Sequence, residues 1–174
     1  IEILGSSVSI IGLLLLISLI SYSPNDPNFI FPDNIEIKNL LGFQGSFISD
    51  LFFQSFGLIS YLISLTYVFT GINIFRIKDF FLIIENTFIV ILYSVIGSLF
   101  FSYFYPNSFT FYINGNGGFV GSYFNQTFLS SIIQMNENIF YYVLILIIIV
   151  LFLISINFNP VKFSKYFQKL FKIL

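Results

Sequence analysis

Cysteine and histidine are both absent from the 174 residues. Without them there is no disulfide framework, no thiolate nucleophile, no imidazole base and no metal centre built on either side chain. Cysteine usage is therefore silent on redox compartment. Charge is scarce as well: 9% of residues with a net charge of -1, against about 25% in a soluble domain. That balance excludes a cationic field for gathering nucleic acid. Together with 57% hydrophobic residues it also argues against a water-soluble enzyme or a disordered tail. Alanine and tryptophan are missing, while Phe (26) and Tyr (11) abound. We read this bias as the coding of an AT-rich genome. Small residues for helix packing must then be Gly, Ser or Thr, and an interfacial aromatic belt must be built from Tyr. No G-x-x-x-x-G-K-[ST] phosphate loop occurs; Gly115-Asn116-Gly117-Gly118 is rich in glycine, but no Lys follows it.

What is present is a set of long apolar runs. Spans are expected at about 3–20, 51–75, 87–105 and 139–156, without internal charge and close to the ~20 residues a bilayer requires. The first lacks the basic n-region and small-x-small site of a signal peptide, so it reads as a retained span. The chain opens on Ile1 and not Met, so a cytoplasmic segment is expected ahead of it. Residues 1–160 form one expected membrane domain, and 161–174 the basic start of a cytoplasmic linker. An even number of spans puts both ends on one side. Arg76, Lys78, Lys162, Lys165, Lys169 and Lys172 fall on that side and only Lys38 on the other, which makes it the expected cytoplasmic face. Tyr22, Tyr103, Tyr105, Tyr141 and Tyr142 sit at the expected outer ends of the spans, as an aromatic belt would. The four tail lysines form one helical stripe suited to anionic lipid, with nucleic-acid contact as the alternative reading.

The expected fold is an all-α membrane protein. Its four transmembrane helices read as two parallel-repeat hairpins, with short amphipathic helices in the extracytoplasmic loops. The repeat rests on Gly42-Phe43-Gln44-Gly45-Ser46-Phe47 and Gly118-Phe119-Val120-Gly121-Ser122-Tyr123, each downstream of a Pro-Asn pair. Chance similarity in a low-entropy sequence is the alternative. Val120, Phe124, Phe128 and Ile132 recur at i+4 as one amphipathic face, to lie along the outer membrane surface or dip into it. Asn125-Gln126-Thr127 matches a glycosylation sequon, for which chance is the better reading.

Small and polar residues mark the faces through which membrane helices associate. They are Gly5, Ser9 and Gly12 in the first span, Gln54, Gly57, Ser60, Ser64 and Gly71 in the second, and Ser94, Gly97, Ser98 and Ser102 in the third. The first three spans are expected to pack closely, with the fourth peripheral; the alternative is that Ser only stands in for the missing Ala. Asp50 and Glu85 lie near expected helix starts, where a carboxylate caps and favours the dipole. An ion path is the alternative, and Glu85 is placed to pair with Arg76.

Two motifs carry a family resemblance. Ser21-Tyr22-Ser23-Pro24-Asn25-Asp26-Pro27 resembles the S-Y-x-P-x-D-P motif of the FtsK/SpoIIIE family. Gly42 to Gly57, which includes Gly45 and the Asp50-Leu51-Phe52-Phe53 run, is similar to that family's entry into its second span, with Ser49 where the family usually has Ala. Gly71 to Arg76 then matches its basic exit. The resemblance covers about residues 3–160. It implies the four-span N-terminal region of a septal DNA translocase in the bacterial inner membrane, both termini cytoplasmic. It implies division-site membrane proteins and the lipid bilayer as partners. It further implies homo-oligomers, hexameric through a motor outside these residues, with ATP and Mg in that motor. No cofactor, catalytic activity or direct nucleic-acid contact is then expected of this region itself. A small four-span transport or sensor subunit is the alternative.

Overall fold

The first helix begins one residue into the chain, with the Glu2 carboxylate in its first turn, and runs until Ser21 and Pro24 break the apolar repeat. The computed structural model describes residues 1–27, 36–106 and 114–160. Within them lie α1 (Glu2–Ile20), α2 (Gly42–Phe56), a single 3-10 turn (Gly57–Ile59), α3 (Ser60–Ile77), α4 (Leu82–Phe104), α5 (Gly118–Asn125), α6 (Phe128–Met135) and α7 (Glu137–Ser155). There is no strand among the described residues. Four helical stretches are long and apolar enough to cross a membrane. At a 1.5 Å rise, the 18 residues of α3 and the 23 of α4 extend about 27 and 34 Å, either side of a ~30 Å hydrocarbon core.

Local chemistry sets the ends. Lys78 closes α3 in the left-handed region (φ 64°), its N–H donating to the Ile74 carbonyl at 2.8 Å. Asp79 then accepts the Phe81 N–H at 2.9 Å, which turns the chain into α4 at Leu82. The third span, expected from residue 87, therefore starts five residues earlier, with Leu82 to Glu85 as its first turn. Thr127 caps α6 by accepting the Leu129 N–H at 3.3 Å, and Asn136 caps α7 by accepting the Ile139 N–H at 3.4 Å. The Thr of the sequon match is thus a helix cap.

The second apolar run differs most from expectation. Residues 51–75 cover the end of α2, a break at Gly57 and most of α3. Gly57 has φ 64° and ψ -143°, a conformation that is essentially glycine's alone. Hydrophobicity continues through the break, so composition could not reveal it. The helix with the G-F-x-G-S start is thus α2, a separate element at the end of the bundle. The second copy is interrupted too: Gln126 and Thr127 divide α5 from α6, so Val120 and Phe124 share no continuous helix with Phe128 and Ile132.

The crossing helices form a row, α1–α3–α4–α7. α1 and α3 run antiparallel in backbone contact. A Cβ on Gly5 would lie 2.6 Å from the Phe75 nitrogen, one on Gly12 2.6 Å from the Val68 nitrogen, and one on Gly71 2.5 Å from the Gly5 oxygen. Ser9 lies against Gly71 in the same seam. Glu2 and Lys78 close that seam with an exposed 2.8 Å ion pair, the only one among the described residues; Arg76 and Glu85 do not form one. α3 and α4 meet along hydroxyls and amides. Thr66 bonds both Tyr93 (2.9 Å) and Ser155 of α7 (3.0 Å), Asn86 donates to Thr70 at 2.8 Å, and Tyr67 meets Thr87 at 3.3 Å. Asn73 donates to the Ile156 carbonyl at 2.9 Å, which fastens the end of α7. Elsewhere α7 is covered only on one side: its buried residues are Ile148 and Ser155. Tyr93 and Ile148 sit in the main apolar cluster with Ile59, Ile63, Val90 and Phe100.

The row has two distinct ends. The turn end carries Glu2, residues 78–81 and residues 156–160. The loop end carries residues 21–27 and 36–41, α2, Gly57, residues 105–106 and residues 114–136.

Replacing Gly71 by Leu is expected to lower stability in detergent by about 3 kcal/mol, because backbone blocks the added side chain. Replacing the 61% exposed Leu146 by Ala should move it little. Thr66→Val removes two interhelical bonds and is expected to cost about 0.6–1.7 kcal/mol. Thermal unfolding followed by circular dichroism reads all three variants.

Candidate functional site

The loop end gathers most of the sequence-singled residues into two polar clasps, one around α2 and one around α5. The first begins at the last turn of α1. Ser21 donates back to the Ile17 carbonyl at 2.7 Å, and its oxygen accepts the Leu40 N–H at 3.2 Å. Pro24 supplies the fixed φ inside a β-turn closed by Asp26 N–H donating to the Ser23 carbonyl at 3.1 Å. That turn buries the Asp26 carboxylate (2% exposed) where it accepts the N–H groups of Lys38 (3.0 Å) and Asn39 (2.7 Å). Asn39 is buried in turn. Its amide donates to the Ser18 carbonyl (2.9 Å) and Ser49 (3.4 Å), and its oxygen accepts the Leu41 N–H (3.1 Å). Ser18 reaches the Gly45 carbonyl at 2.7 Å, and Ser46 donates to the Pro27 carbonyl at 3.0 Å. Gly42 turns into α2 at φ 64°, and Gly45 lies against Asn39 with no room for a Cβ.

Asp50 falls in the middle of α2, since that helix starts eight residues before it. It is largely buried and caps no helix start. It accepts the Tyr22 hydroxyl at 3.1 Å and the Gln54 amide at 3.4 Å. Tyr22 also meets Phe53 edge-on at 4.9 Å, and Phe53 meets Tyr61 at 5.4 Å. The S-Y-S-P-N-D-P segment is thus a set of ties that dock α2 onto α1.

The second clasp joins the two halves of the chain. Gly57 and Gly118, both at φ 64°, meet back to back: a Cβ on Gly118 would lie 2.6 Å from the Ser55 carbonyl carbon. At the Gly57 break, the Leu58 N–H donates to the Asn116 carbonyl at 2.9 Å, and the Asn116 amide donates to the Tyr105 carbonyl. Asn114 grips Gln54 twice, donating from its backbone N–H to the Gln54 side chain (3.1 Å) and from its amide to the Gln54 carbonyl (3.2 Å). Ser98 donates to the Phe56 carbonyl at 3.0 Å, and Ser60 to the Phe52 carbonyl at 2.9 Å. Ser98 and Ser102 also receive Gly117 and Gly121 at the start of α5, with a Gly121 Cβ placed 2.7 Å from the Ser98 carbonyl carbon. These two serines therefore face a short helix and not a neighbouring span. Gly97, one step round α4, faces Ile59. Ser64 bonds within its own helix, to the Tyr61 carbonyl at 2.8 Å, and Ser94 is buried with no partner for its hydroxyl.

Arg76 is exposed in the last turn of α3, and Lys78 is the left-handed residue after it. Lys162, Lys165, Lys169 and Lys172 lie outside the described residues. Asn39, Asn114, Asn116, Thr66 and Thr70 were not singled out by sequence, although they hold the clasps and the seam. Thr66, Thr70 and Asn73 do recur at helical spacing (i, i+4, i+7), a polar stripe visible in principle. The asparagines lie in loops, where nothing local tells a structural amide from a solvated one.

No group of three or more Asp or Glu gathers among the described residues. The bonds of both clasps hold helices together. The class so defined is a multi-pass helical membrane domain with tied-down short helices at one end. Residues 1–164 match the family described as the 4TM region of DNA translocase FtsK/SpoIIIE, and the chain belongs to that family. A DNA translocase FtsK of Rickettsia typhi is 30% identical over 167 residues, 92% of this chain and 21% of that protein. One of Azospirillum brasilense is 35% identical over 72 residues, 40% of this chain and 11% of that protein. The chain thus spans about a fifth of the first relative's length. No solved structure matches.

Asp26→Ala leaves the buried Asn39 N–H unpaired, at a cost of about 1–3 kcal/mol, and takes the acceptor from the part-buried Lys38 N–H. Limited proteolysis is expected to cut between residues 21 and 41 several-fold faster in this variant, while the thermal unfolding of α4 and α7 shifts less. An unchanged cleavage rate would show that the carboxylate does not hold the clasp.

Proposed function

We propose that this chain is the membrane anchor and division-site scaffold of a DNA translocase acting in cell division and chromosome segregation. The observation that carries the reading is the family match over residues 1–164, joined to a chain that spans only 21% of a relative named for DNA translocation. Translocation needs a motor that these residues do not provide. A four-span domain with its short helices tied down at one end is suited to hold such a motor against the membrane and to offer a surface to partners. ATP and Mg belong to that motor, which would also form the hexamer. Division-site membrane proteins are the partners of the four-span region, reached through its loop end and its lipid-facing helices.

The lopsided basic residues orient it. With Arg76, Lys78 and the tail lysines inside, the turn end is cytoplasmic and both clasps are extracytoplasmic, in the bacterial inner membrane and enriched at the septum. The transport alternative requires open polar groups along a path at mid-membrane. The buried hydroxyls of Tyr93 and Ser155 instead both bond Thr66.

Two measurements test the proposal. Sequencing the gene past Leu174 is expected to reveal, in frame, a motor with a Walker-type Gly-Lys-Ser/Thr loop; a stop codon soon after Leu174 would defeat it. The chain has no cysteine, so single Cys substitutions report topology cleanly. Ser122→Cys is expected to react with an impermeant maleimide in spheroplasts, and Asp79→Cys only after lysis. The reverse pattern would invert the orientation.

A further inference from the structure

α6 is a helix of eight residues, Phe128–Met135, whose surface divides into three sectors of about 120° each. Ile133 (3% exposed) faces the bundle. Phe128, Ile132 and Met135 share a second sector and are 73%, 38% and 84% exposed. Ser131 and Gln134 are exposed on the third. We infer that α6 lies in the membrane–water boundary beside the bundle, with Phe128, Ile132 and Met135 inserted among lipid acyl chains.

Height and sector order both carry the inference. Tyr103, next to last in α4, donates to Glu137 at the start of α7 at 2.7 Å, and the Tyr105 and Tyr141 hydroxyls meet at 2.7 Å. The last turn of α4 and the first turn of α7 are therefore level. α6 ends two residues before α7, at that height. α4 extends about 34 Å over 23 residues, so its end stands at the edge of a ~30 Å hydrocarbon core. A helix at that edge, beside a bundle, has three neighbours: protein, hydrocarbon and water. α6 has one sector for each. Turning its apolar sector to water would rotate Ser131 and Gln134 toward hydrocarbon, where neither finds a hydrogen bond. The helix carries no charged residue, so its attraction to the bilayer is apolar and does not require anionic headgroups. This inference rests on the four helices crossing a bilayer and is independent of any role in division.

The chain has no tryptophan, so one introduced indole reports one site. The 174-residue chain is reconstituted in phosphatidylcholine vesicles bearing brominated acyl chains, as Ile132→Trp and as Gln134→Trp. Ile132→Trp is expected to emit at shorter wavelength and to be quenched by bromine at least about twofold more than Gln134→Trp, with iodide showing the opposite order. Equal iodide access for the two would place the face in water and overturn the inference. Shielding of Ile132→Trp from both quenchers would place it against another protein copy and overturn it as well. Met135→Trp and Ser131→Trp form a second pair of the same kind should either first variant fail to fold by circular dichroism.

Discussion

Hydrocarbon offers no hydrogen bonds. Every backbone group that leaves a regular helix near the membrane must be answered from within the chain. This chain breaks its second apolar run at Gly57, and the consequence runs through the whole loop end. The freed groups there find Asn116, Ser98 and Ser60 as partners, and each of these is held in turn by the residues around it. The two glycines at φ 64° let the crossing backbones touch without a side chain between them. The break is therefore a junction where the N-terminal and C-terminal halves of the chain are joined.

The same constraint explains the polar residues inside the row. Apolar side chains gain little from meeting each other in lipid, so association depends on close backbone approach and on interhelical hydrogen bonds. The α1–α3 seam uses the first, through Gly5, Gly12 and Gly71. The α3–α4–α7 junction uses the second, through Thr66, Tyr93 and Ser155. α7 is covered on one side only, and its single small residue, at its end, bonds across to α3. Seams of these two kinds hold the row together, and the clasps tie the short helices down at its loop end.

Much of this was legible beforehand. Four apolar stretches of the right length placed the crossings to within a few residues at most ends, because a helix in lipid needs little more than length and the absence of charge. The two loop motifs pointed to the family. The work each motif residue does was hidden. Ser21, Asp26 and Gly45 read as a loop signature, yet they act through partners 12 to 27 residues away in sequence. Asn39, Asn114 and Asn116 carried no signal, since an amide in a loop looks the same whether it is solvated or buried. Ser98 and Ser102 stood out by spacing, but spacing could not say that a short helix, and not a span, would lie on them.

Composition and order alone determined that the chain is helical and carries four stretches fit to cross a bilayer, because these follow from the cost of placing ions and bare backbone in hydrocarbon. Tertiary structure alone decided where the second run bends, which serines carry α5 and how the two halves lock at Gly57 and Gly118. Those outcomes depend on distances between segments far apart in the chain, and no local pattern encodes such a distance.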